Sequence, residues 1–128
     1  MLLDVIASRA RLADQGVKDY VEATLFETAQ DGITAFATGG QTNATQITKS
    51  MSRISTCATI ADSVKLPPAK AGSFVCLVNS GAQSANVFPA TGEQINAAGA
   101  NTAVALAAGS KGLYFCPVDG RWFSIITT

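Results

Sequence analysis

The sequence predicts a mainly β protein, an antiparallel β-sandwich or barrel of jelly-roll type, with a helical arm at its N-terminus. Three observations carry this expectation. Short apolar runs recur from Ile54 onward, separated by clusters of Gly, Pro, Asn and Ser. Asp119-Gly120 stands between LYFCPV and RWFSII, the signature of a two-residue hairpin. Charge is concentrated at the start of the chain: Asp4, Arg9, Arg11, Asp14, Lys18, Asp19, Glu22, Glu27 and Asp31 are half of all the charged residues. The chain of 128 residues has room for one domain with a short appendage. It divides into an arm (1–31), a linker or first strand (32–53) and a β domain (54–128).

In the arm, Leu3, Ile6, Ala10, Ala13, Val17 and Tyr20 recur alternately three and four residues apart, the rhythm of one apolar stripe on a helix. Asp14 and Lys18 support it as an i, i+4 pair in the favourable order. Gly16 predicts a kink or a break into two helices, and Asp31-Gly32 ends the section. The stripe has two readings: a face packed on its own domain, or a seam that meets equivalent helices or a larger partner. Residues 33–53 mix short apolar runs with Gly39-Gly40 and many threonines, and read as strand or extended linker. Beyond them the candidate strands are Ile54–Ile60, Val64–Leu66, Ser73–Asn79, Ala85–Phe88, Thr102–Leu106, Leu113–Val118 and Arg121–Ile126. Some apolar runs, such as FVCLV, are continuous rather than alternating, which predicts strands covered on both faces, one by the core and one by a neighbour. Ala71-Gly72-Ser73 and Ala108-Gly109-Ser110 echo one another. A repeated hairpin and chance both account for this in a chain so rich in these residues.

Composition removes several classes of function. Nine basic residues balance nine acidic ones, so the whole chain has no electrostatic footprint for nucleic acid or anionic lipid. Charged residues are only 14% of the chain, well below the roughly 25% of an average domain. Such an exterior is easier to understand if copies of the chain or a partner cover much of it. Without histidine, the usual general base, zinc ligand and pH switch are missing together. Cys57, Cys76 and Cys116 form an odd set with no CxxC spacing, so they predict buried structural thiols and a reducing compartment. Asp4 interrupts the position a signal peptide needs, and the longest uncharged stretch (71–92) is too polar to span a bilayer.

Candidates for chemistry are few. Gly39-Gly40 lacks the lysine of a phosphate loop. An acid–base carboxylate pair would have to draw on Asp62, Glu93 and Asp119, and of these Asp62 and Asp119 sit in turn contexts and read instead as solvated turn residues bonded to their own backbone. Trp122 and Tyr114 are the aromatic candidates for stacking a sugar, and a lone Trp in a terminal hairpin reads first as core or interface. The expectation is a chain that is not an enzyme and has no catalytic, cofactor or metal site. Its candidate interface residues are Leu3, Ile6, Val17, Tyr20 and Trp122.

Residues 62–125 carry a pattern: Val64-Lys65-Leu66-Pro67, Val78-Asn79, Asn86-Val87-Phe88-Pro89-Ala90-Thr91-Gly92 with Ile95-Asn96, then Ala105–Gly109 and Trp122. This half of the chain resembles the β domain of small structural proteins of tailed bacteriophages, of the capsid decoration (cement) or head-fibre type. The resemblance implies a non-catalytic virion protein, a homotrimer seated on the major capsid protein of the same particle and assembled in the host cytoplasm, with no nucleic-acid or membrane partner. The alternative it carries is a head-fibre or tail-fibre segment that reads host glycans.

Overall fold

A computed structural model describes residues 29–127. The helix expected over the arm falls on residues 1–28, outside the described residues, as do Leu3, Ile6, Val17 and Tyr20. Its last three positions do not belong to a helix. Ala29–Thr34 is the first strand among the described residues, β1. Asp31-Gly32 there acts as a bulge. Gln30 lies opposite Ser52 and Ile33 opposite Ile54, so β1 carries one extra residue, accommodated by Gly32 at φ 72°.

After β1 come a single helical turn, α1 (Gly40–Asn43), and nine further strands: β2 Thr45–Gln46, β3 Met51–Thr56, β4 Ser63–Lys65, β5 Phe74–Asn79, β6 Ala85–Phe88, β7 Gln94–Ile95, β8 Val104–Leu106, β9 Lys111–Val118 and β10 Arg121–Thr127. They form two sheets, ordered β1-β3-β5-β9-β10-β7 and β2-β4-β6-β8. Consecutive strands alternate between the sheets through β6, and β1, β3 and β5 run parallel to one another, as do β2, β4 and β6. The chain therefore winds in coils of about twenty residues and stacks each on the last, in the manner of a solenoid.

This corrects the expected antiparallel sandwich or jelly roll. The chain is mainly β with two sheets, but antiparallel pairing between strands occurs at the finishing end, where β8 pairs with β6, β9 with β5 and β10 with β9, and elsewhere only as an isolated bridge between Phe36 and Ser63 among the described residues. Turn signals between short strands suit both architectures. A corner that carries the chain to the opposite sheet uses the same Gly, Pro and Asn as one that reverses it within a sheet.

The core lies between the sheets. Ile33, Ile54, Val75 and Leu77 come from the larger sheet and Val64, Val87 and Leu106 from the smaller, with Ile47 and Leu66 at the corners. Tyr114 and Trp122, the largest fully buried side chains, close the finishing end. Strand β9 alternates cleanly: Gly112, Tyr114 and Cys116 point in, while Lys111, Leu113 and Phe115 point out. The Asp119-Gly120 hairpin is present, but only Gly120 has positive φ, so the turn is not the type I′ that Asp-Gly suggests. The twist mismatch is taken up by a register shift between Arg121 and Phe123. The AGS echo is a shared local turn. Gly72 and Gly109 both take positive φ just before neighbouring strands β5 and β9, which run antiparallel and so are not copies of one coil.

Candidate functional site

The most distinctive surface among the described residues is the outer face of the larger sheet. Register brings its residues into rows. Met51 lies opposite Cys76, Cys76 opposite Leu113, and Leu113 opposite Ile125, so one apolar row crosses four strands. Beside it Phe74, Phe115 and Phe123 form a second row across three strands. The rings of Phe115 and Phe123 stack with centroids 6.1 Å apart. Met51, Phe74, Leu113, Phe115 and Ile125 are all exposed, Ile125 to 59%. Isolated exposed apolar residues are ordinary; a contiguous two-row patch marks an interaction surface.

The rim of this face is basic. Arg53 and Lys111 project beside the Met51 row, and the Arg121 guanidinium lies 5.7 Å from the Phe123 ring centroid. Asp31 is the carboxylate here, held by Arg53 at 2.7 Å. Both groups are solvent-exposed. Hydrogen bonding to Arg53 holds the Asp31 carboxyl below its usual range, and the same pair raises the Arg53 guanidinium.

The expected burial of FVCLV on both faces holds for one. Val75 and Leu77 enter the core, whereas Phe74 is exposed and Cys76 and Val78 are half-buried on the outer face. Cys76 is thus a correction to the reading of three buried thiols; Cys57 and Cys116 are buried. Burial, with the Asp62 charge nearby, pushes the Cys57 thiol up, away from the thiolate a nucleophile needs.

A second feature is a cleft of about 290 Å³ where the corner before β3 meets the corner before β5. Thr48, Lys49, Ser50, Ser73, Phe74 and Trp122 are among its lining residues. Trp122, offered from the sequence as an interface residue, is fully buried in the chain's own core, and its indole Nε1 has no hydrogen-bond partner among the described residues. Tyr114 is equally buried, so neither of the two aromatics considered for glycan stacking presents a ring to solvent.

The three carboxylates considered for acid–base work all hold backbone. Asp62 is not a solvated turn residue. It is 2% exposed, accepts from the amides of Ala58 and Thr59 at 3.1 and 3.0 Å, and reaches Thr38 N–H at 3.3 Å, tying two corners together. Both Glu93 oxygens accept from Ala69 N–H, and Asp119 accepts from Ala71 N–H at 2.9 Å. Together they clip the loop that follows Pro67-Pro68.

Sequence reasoning missed the face itself. Its signal was present in the alternate positions of two apolar strands, Phe74/Cys76/Val78 and Leu113/Phe115. Only the lateral register shows that they adjoin. Compared with protein-family models, with curated proteins and with solved structures, the chain matches none of them. No helix among the described residues is long and apolar enough to cross a membrane.

Proposed function

We propose that this chain is a bacteriophage virion structural protein, a capsid decoration (cement) protein that acts as a homotrimer on the major capsid protein of the same particle. The observation that supports this reading most is the apolar face that the larger sheet exposes among the described residues, Met51, Phe74, Leu113, Phe115 and Ile125. A specific protein–protein interface buries on the order of 800 Å² per partner around an apolar and aromatic centre with a polar rim. A face of four strands with two stacked phenylalanines and a basic margin has that composition. The resemblance of residues 62–125 to phage β domains supplies the particle, and the low charge of the exterior suits a protein held among other subunits.

The residues of the resembling segment act here as structural fasteners. Asn79 is fully buried: its amide donates to the carbonyls of Gln83 and Leu106, and its Oδ1 accepts from Gly81 N–H. Asn96 exchanges two bonds with Ser124, one each way. A segment spent on holding corners in place suits a mechanical task.

Light scattering on the purified chain, followed by electron microscopy of capsids with and without it, tests the proposal. The expected result is a trimer that adds density to the capsid surface. A monodisperse monomer at micromolar concentration that leaves the capsid image unchanged overturns it.

A further inference from the structure

We infer that the apolar face of the larger sheet is the seat for residues 1–28 of a neighbouring copy, so that the copies of the oligomer are held by exchanged N-terminal segments. The inference rests on the assembly reading above and names the contact it leaves open.

Three observations fit the occupant to the seat. The first is charge. Residues 1–28 hold Asp4, Asp14, Asp19, Glu22 and Glu27 against Arg9, Arg11 and Lys18. The face is rimmed by Arg53, Lys111 and Arg121 against Asp31. An acidic segment thus meets a basic margin, which favours encounter and fixes orientation. The second is pattern. The sequence gives the segment one apolar stripe, Leu3, Ile6, Ala10, Ala13, Val17 and Tyr20, and the face offers two adjacent apolar rows. A helix over residues 3–20 would be roughly 27 Å long, and the face from β1 to β10 is roughly 19 Å wide, so the stripe can cross all five strands. The third is position. The segment joins the fold at Ala29, which lies opposite Met51 and therefore at the end of the Met51–Cys76–Leu113–Ile125 row. It leaves at the β1 end of the row, within reach of this face and of a copy packed beside it.

Delivery to a neighbour is what makes the contact hold an assembly. Each copy then gives one segment and receives one, a head-to-tail contact that closes when three copies form a ring. The same segment folded back on its own chain would cover the face and leave the copies with nothing to share there.

Cys76, at the centre of the face, provides the test in the full-length chain. Cysteine is placed in the stripe as Ala10→Cys, Ala13→Cys or Val17→Cys. Copies in natural-abundance nitrogen and in ¹⁵N are mixed, allowed to exchange and oxidised with glutathione disulfide, and cross-linked peptides are weighed. Cross-links joining the stripe to Cys76 across light and heavy copies are expected, lost in Cys76→Ser. In parallel, Leu113→Glu should weaken the oligomer roughly tenfold or more while leaving the circular dichroism of the fold unchanged. Where native mass spectrometry shows mixed light–heavy oligomers, stripe-to-Cys76 cross-links found only within a single isotope class place the segment on its own chain and overturn the exchange. A trimer with no such cross-link at any of the three positions also overturns it, while the assembly reading stands. A monomer in light scattering overturns both.

Discussion

Tyr114 and Trp122 show how much the finishing end of the stack tolerates for the sake of bulk. Both are fully buried, and neither the phenol oxygen nor the indole nitrogen finds a partner among the described residues. An unsatisfied buried hydroxyl costs about 1–3 kcal/mol, so its removal should be neutral or favourable. Burial pushes the Tyr114 phenol above its ordinary value near 10. The sign follows from linkage: the unfolded chain ionises first, so stability is intact below that ordinary value and is lost as pH rises through it toward the higher folded one. Tyr114→Phe is therefore expected to keep or raise stability at pH 7 and to lose less of it between pH 9 and 11. Urea unfolding at both ends of that range measures this. A variant markedly less stable at pH 7 would show that the hydroxyl is bonded.

At the scale of elements, β9 decides the geometry of the molecule, since it pairs with both β5 and β10 and joins the parallel coils to the closing hairpin. Its inward face depends on Gly112. A Cβ built there would stand 2.7 Å from the Tyr114 ring, so the ring lies over the bare glycine. Gly112→Ala should cost about 1–3 kcal/mol by overpacking, seen as a lower denaturation midpoint with the same m-value. An unchanged midpoint would mean that the ring moves aside freely. Much of this was legible beforehand. Ala85–Phe88 has the bounds expected, and Val64, Ser73, Leu113 and Arg121 each open a run within two residues of an observed strand. β7 was missed because two residues give no period to read, and β1 because Asp31-Gly32 signals a stop in most contexts, whereas here it forms a bulge. Of the turn carboxylates, Asp62 does bond nearby backbone at Ala58 and Thr59, but it is buried and also holds Thr38, while Asp119 holds Ala71, as Glu93 holds Ala69, all distant in sequence.

Across the whole molecule, a stack of coils distributes stability unevenly. Each coil rests mainly on its neighbours, and among the described residues β1 has a neighbour on one side only within its sheet. β1 is also interrupted by two register irregularities, one on each side of Ile33. Amide hydrogen exchange should therefore show the least protection in β1, more in β3 and the most in β5 and β9, which lie at the centre of the larger sheet. Uniform protection across these strands would indicate that the fold opens as one unit.

The amino-acid sequence by itself determined that the chain is β-rich, that most of its turns fall at Gly, Pro and Asn, and that an apolar stripe and a cluster of charge precede the sheets. Those are local properties, set by backbone preference and by the spacing of side chains a few positions apart. Tertiary structure decided that successive strands go to opposite sheets and stack in parallel, and that Met51, Cys76, Leu113 and Ile125 form one row. Strand pairing joins residues tens of positions apart through backbone hydrogen bonds that every residue except proline can make, so the pairing leaves little trace in local composition.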